Sequence, residues 1–169
     1  MDFVTLMEFV VIGILLGGLY ALIAAGLALI LGVMKILNFA HGEFLMIAMF
    51  ITFFLHQLLG LDPYVSLIIG IPVMFGVGLA AYKVIISPVL LKGPVNQLLV
   101  TIGLSFLLQN LALTLFSSNL RSVEVPYQYA TVMMGGVIVQ TTRLVAFAAS
   151  VGITLLIYCL LRYTSFGLQ

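Results

Sequence analysis

The sequence predicts an all-α polytopic membrane helix bundle of about five transmembrane helices, and three observations carry that prediction. The 169 residues are 64% hydrophobic and only 7% charged, where an ordinary soluble domain is about 25% charged. Surface-to-volume scaling would leave too much of that apolar surface facing water, so the solvent for this chain is lipid. The apolar residues also come in continuous uncharged runs, at residues 9–34, 44–61, 63–82, 98–120 and 144–161. About 20 such residues cross a hydrocarbon core of about 30 Å, whereas a β-barrel would show short segments alternating apolar and polar side chains.

The first run reads as a span that stays in the membrane, because the chain opens Met1-Asp2-Phe3 with none of the early Lys or Arg of a signal peptide. It carries Gly13, Gly17, Ala21 and Ala25 at four-residue spacing. On a helix these stack into one face of small residues, which predicts close packing against another helix. A weaker version, Gly76 and Ala80, lies in the third run.

The connection from the first run to the second, residues 33–44, interleaves Ile36, Leu37, Phe39 and Ala40 with Lys35, Asn38, His41 and Glu43. It is too apolar for an aqueous loop and too polar for a plain span, so an interrupted connection buried in protein is expected. Asn38 is suited to start a helix by accepting a backbone N–H, and Gly42 permits a close approach or turn. His41 and Glu43 are ionisable groups beside two spans, which makes them site candidates. Two residues apart on a helix they do not face each other, so a structural or gating lock, a place along a transport path and a proton relay all stay open.

His56 in the second run reads as packing or interfacial. After the third run, residues 87–97 hold Pro88, Lys92, Gly93 and Pro94 and predict a short elbow. The fourth run repeats Gln97, Thr101, Ser105 and Gln109 every fourth residue, with Asn110 adjacent. At 3.6 residues per turn these cover a stripe of about 120°, able either to hydrogen-bond neighbouring helices or to line a hydrated path. The long segment at residues 117–143 mixes Arg121, Glu124, Pro126, Tyr127 and Tyr129 with the β-prone Val137-Ile138-Val139, and reads as an ordered external cap or a contact surface. In the fifth run Cys159 reads as a small apolar filler. Placing the N-terminus outside puts Lys35, Lys83, Lys92 and Arg162 inside and only Arg121 and Arg143 outside, as the bias of basic residues toward the cytoplasm requires.

Composition excludes several function classes. A net charge of +1 leaves no footprint for nucleic acid. The single cysteine excludes a disulfide framework and a Cys-based zinc site. No nucleophile elbow and no His-Glu-x-x-His zinc helix occurs in the sequence, so an intramembrane enzyme is not expected. A phosphate-binding Gly-x-x-x-x-Gly-Lys-Ser/Thr loop is also missing, so any ATP chemistry belongs to another subunit. No cofactor and no metal are expected.

The run Gly18-Leu19-Tyr20-Ala21-Leu22-Ile23-Ala24-Ala25-Gly26-Leu27, followed by Asn38-Phe39-Ala40-His41-Gly42-Glu43, resembles the opening of the permease subunits of bacterial branched-chain amino acid ABC importers. Leu99-Val100-Thr101-Ile102-Gly103-Leu104-Ser105 with Gln109-Asn110-Leu111 is similar to a second pattern of that family. Arg162-Tyr163-Thr164-Ser165-Phe166-Gly167 resembles the start of its main cytoplasmic loop. Where family members often carry Arg-Pro after the third helix, this chain has Ser87-Pro88, so no arginine role carries over there.

The resemblance implies one transmembrane permease domain over residues 1–169, the N-terminal part of a longer permease, in the inner membrane of a bacterium or archaeon. It implies ATP-binding subunits, a second homologous permease and an extracytoplasmic solute-binding protein as partners, with the lipid bilayer around them. A non-transporting membrane scaffold, a truncated paralogue and a permease for an amide such as urea are the alternatives.

Overall fold

The computed structural model describes residues 2–163. The expected start of the cytoplasmic loop falls largely outside them, since only Arg162 and Tyr163 of that motif are described. Among the described residues five helices, α1 to α5, are long and apolar enough to cross a membrane. They are α1 (Phe3–Leu29), α2 (His41–Leu59), α3 (Pro63–Ala81), α4 (Pro94–Phe116) and α5 (Thr141–Tyr163). Between α4 and α5 lie two short strands, β1 (Thr131–Met134) and β2 (Val137–Gln140).

The helix ends follow local chemistry. α1 begins at Phe3, earlier than the apolar run, because a charged residue such as Glu8 interrupts hydropathy without interrupting a helix. α2 closes at Gly60, whose left-handed φ of 65° needs no Cβ. There His56 donates from Nδ1 to the Leu61 carbonyl at 2.9 Å, which gives that histidine a place in the turn. α3 opens two residues later, where Asp62 accepts from the Tyr64 amide at 2.9 Å and Pro63 fills the first helical position. The expected elbow after α3 is helical, a wide π-type turn over Tyr82–Ile86 and a 3-10 turn over Ser87–Lys92, and it breaks only at Gly93, φ 92°. α4 then starts at Pro94 and stops at Phe116, short of the apolar run, because Ser117 takes a left-handed φ of 61°.

The described residues form two compact units. In the first, residues 2–33 with 124–163, α1 packs against α5 and β2. The strands pair antiparallel from Thr131 opposite Gln140 to Met134 opposite Val137. Gly135 and Gly136 make the two-residue turn, with φ 58° and 89°, the positive values that such a hairpin requires. Along β2, Val137 and Val139 are buried while Ile138 is exposed, so alternation turns one face inward. Those two valines and Leu15 form a small core flanked by Met7, Val11, Leu144 and Phe147. The Val137-Ile138-Val139 reading is therefore matched by a strand.

Within the chain, this core uses a different face of α1 from the small-residue one. Leu15 is its buried residue, and the close approach falls at Gly18, where a Cβ would stand 2.3 Å from the Phe147 ring. Gly13 and Gly17 have no atom within 4 Å of where a Cβ would sit, Ala21 is exposed and Ala25 is half-buried. At about 100° per residue, a face built on positions 13, 17 and 21 points away from one built on 11, 15 and 18. In the second unit, residues 34–123, α2 packs on α3 and on α4.

Candidate functional site: a broken connection held by a polar stripe

The interruption after α1 is built in three steps. The helix first widens into a π-type turn over Ile30–Met34. Lys35 then adopts φ 53°, a left-handed conformation that costs a residue with a Cβ roughly 1–2 kcal/mol. Finally Asn38 folds back, its Oδ1 accepting from the Ala40 amide at 3.1 Å, and the Ala40 carbonyl accepts from Phe44 at 3.2 Å as α2 begins. Asn38 thus accepts a backbone N–H, but in a turn just ahead of the helix and not as its cap: the cap residue of α2 is Ala40, which has no side-chain cap bond. Ile36 and Ala40 are 3% and 0% exposed while Phe39 is 55% exposed, so the connection is buried in protein along one side only.

What buries it is the stripe on α4. Thr101, with no exposed surface, donates from Oγ1 to the Leu37 carbonyl at 3.0 Å and lies 3.2 Å from the Leu98 carbonyl. Gln109 donates from Nε2 to Glu43 Oε1 at 2.5 Å, and the same nitrogen lies 3.4 Å from the Ser105 hydroxyl oxygen. A donor to a carboxylate is worth about twice a neutral hydrogen bond. Further up, the Phe50 and Phe116 rings lie 4.5 Å apart between centroids. The successive pairs Leu37 with Thr101, Glu43 with Gln109 and Phe50 with Phe116 climb both segments in the same direction, so α2 and α4 run parallel.

The structure therefore joins two patterns that the sequence placed apart: the connection, at the Leu37 carbonyl and Glu43, meets Thr101, Ser105 and Gln109 of the stripe. Gln97, 8% exposed, belongs to the stripe but turns to the elbow, donating to the Leu90 carbonyl at 3.1 Å. His41 is the half-buried first residue of α2. Gly42 is exposed in the first turn with no atom within 4 Å of a Cβ position, so the close approach expected there is not made among the described residues. Two buried oxygens lack a hydrogen-bond partner among those residues, Glu43 Oε2 and Gln97 Oε1.

Two contacts lay beyond sequence reasoning. Gly18 entered only as the first residue of the run that resembles the family, with no packing role read from it. Arg121 lies over three phenylalanine rings and donates to the Phe116 carbonyl at 2.8 Å, where the sequence offered no more than a basic residue after a span.

Residues 9–169, nearly the whole chain, match the family described as the branched-chain amino acid transport system / permease component. The chain belongs to that family. Among curated relatives, a high-affinity branched-chain amino acid transport system permease protein of Pseudomonas aeruginosa, BraD, is 28% identical over 163 residues, covering 86% of this chain and 52% of its own. The corresponding protein LivH of Salmonella typhimurium is 34% identical over 106 residues, covering 58% of this chain and 34% of its own. The Escherichia coli K12 LivH is 32% identical over the same length. The chain spans about half the length of BraD and a third of LivH. No solved structure gives a significant match. The family match covers both the connection and the stripe, and the five apolar helices make this a multi-pass membrane protein.

Proposed function

We propose that the chain is a transmembrane permease component of an ATP-driven importer that moves branched-chain, hydrophobic amino acids across the inner membrane of a bacterium or archaeon. The family match over residues 9–169 carries this reading. In it the chain does no covalent chemistry: separate subunits bind and hydrolyse ATP, a soluble binding protein delivers the solute outside, and a second homologous permease completes the path. The two compact units act as one transmembrane domain. The open small-residue face of α1, at Gly13, Gly17, Ala21 and Ala25, is left for a neighbouring subunit.

Asn38, His41, Gly42 and Glu43 form a lock at the start of α2. The bonds from Thr101 and Gln109 support that role over a proton relay, because they use the carboxylate as a fixed acceptor and reach the backbone as well as the side chain.

The test is uptake of radiolabelled leucine by cells producing this chain with an ATPase pair, a companion permease and a binding protein from its genomic neighbourhood. ATP-dependent leucine uptake that is lost without this chain is expected. Assembly without uptake would favour a scaffold, and uptake of labelled urea in place of leucine would reassign the substrate.

A further inference from the structure

The upper part of the second unit holds an apolar cavity of about 450 Å³ between α2 and α4. Phe50, Phe54 and Leu58 wall it from α2, and Leu111, Leu115 and Phe116 from α4; every lining side chain is apolar. Beside it stands Arg121. Its guanidinium carbon lies 5.3, 5.8 and 6.0 Å from the ring centres of Phe53, Phe54 and Phe116, two of which also wall the cavity. One terminal nitrogen donates to the Phe116 carbonyl. A guanidinium carries five N–H donors, and among the described residues no carboxylate pairs with this one.

Depth sharpens the point. At 1.5 Å per residue, Gln109 lies about 22 Å along α4 from Pro94, and Leu59 lies about 24 Å along α2 beyond Glu43. The joined pair is therefore about 45 Å tall, close to a bilayer with its headgroups. Phe53 and Phe54 sit roughly 8 Å below the end of α2, so Arg121 lies where the hydrocarbon ends and phosphates begin. An unpaired cation at that depth calls for an anion.

We infer that the α2–α4 cavity and Arg121 together bind an anionic diacyl phospholipid, one acyl chain in the cavity and the phosphate on the free edge of the guanidinium. A phospholipid brings an apolar chain and an anion in one molecule, at the spacing this site presents. The aromatic rings attract the cation without accepting its N–H groups as a carboxylate would, which leaves donors for phosphate oxygens. Because this site is separate from the connection at Asn38–Glu43, the inference does not depend on which solute is carried.

Native mass spectrometry of the full chain in mild detergent tests it, with dioleoyl phosphatidylglycerol and dioleoyl phosphatidylcholine supplied in turn. Wild type is expected to retain the phosphatidylglycerol about five-fold better than the phosphatidylcholine, the preference that one basic residue at a headgroup supplies. Arg121→Gln should abolish the preference and Arg121→Lys should keep part of it. Ala112→Phe, which fills the cavity, should remove both lipids while circular dichroism stays unchanged. Phosphatidylglycerol with a photoreactive group on its acyl chain should label α2 and α4 around Phe54 and Leu111, a readout that does not need any variant to fold. Excess inorganic phosphate should not displace the lipid. Equal retention of both lipids, an unchanged preference in Arg121→Gln, displacement by phosphate alone, labelling elsewhere, or a dimer in place of lipid adducts would each overturn the proposal.

Discussion

At the scale of single residues, the connection rests on two donors from α4, and their removal should be felt unequally. Thr101→Val keeps the shape of a fully buried side chain but leaves the Leu37 carbonyl without its donor, which costs about 1–3 kcal/mol for a buried group. Thr101→Ser should recover most of it. Thermal unfolding of the purified protein in detergent would show this as a lowered midpoint for valine and a near-normal one for serine. Glu43→Gln keeps an acceptor for Gln109 and should preserve assembly and most leucine uptake, whereas Glu43→Leu strands the Gln109 amide and should impair both. Normal assembly with abolished uptake in Glu43→Gln would instead make Glu43 a proton carrier, since a relay loses its function when the group cannot ionise. Asn38 as a backbone acceptor and the spacing of the stripe were legible in the sequence, because an Asn before a helix and a repeat of four are local signals. That the stripe meets the connection was not, because the bonds join residues 64 and 66 positions apart.

At the scale of elements, hydropathy located all five spans but not their ends, which are set by backbone chemistry at Gly60, Gly93 and Ser117. Glycine spacing did not locate the contact made within the chain, for a related reason. It marks where two helices are able to approach, while the partner's side chains decide where they do. Gly18→Leu should push the Phe147 ring out of its place and loosen α1 from α5, at about 1–3 kcal/mol for an overpacked contact. Gly17→Leu meets open space inside the chain and should leave the isolated chain's stability nearly unchanged. Leu15→Ala, in the small core, should cost about 2–5 kcal/mol. Unfolding midpoints of the three variants, measured side by side, rank them; a Gly17→Leu loss as large as that of Gly18→Leu would place a packing contact at Gly17 within the chain. In the hairpin, Gly136→Val forces a β-branched residue to φ 89° and should open the β1–β2 turn, read as faster amide exchange at Val137 and Val139.

For the whole molecule, the bias of basic residues in the sequence predicts an orientation with the N-terminus and residues 117–143 outside and Lys92 inside. Single cysteines in a Cys159→Ser background test it, and the native cysteine must go because it is exposed. Asp2→Cys and Glu124→Cys should react with an impermeant thiol reagent in intact cells, and Lys92→Cys should react only after lysis. The reverse pattern would invert the topology. Class, span number and family were all legible in the sequence, since a chain with 7% charge has few ways to fold and the Asn-Phe-Ala-His-Gly-Glu segment is distinctive. Which residues of each span face protein was not legible, because helices that are apolar on every side carry no periodic signal. α2 has no fully buried residue and α1 only one.

The parallel course of α2 and α4 has an electrostatic consequence. Since Glu43 pairs with Gln109, about 22 Å up α4, α2 starts far along α4 and not level with its first residue. A helix start carries roughly half a positive elementary charge in its unsatisfied N–H groups. Glu43 is the acidic residue in that first turn. The carboxylate thus sets a negative charge beside the start of α2, and the amide of Gln109 keeps it aimed there. The helix end offsets about half of the carboxylate's charge, so this level carries a weaker negative field than a bare carboxylate would set.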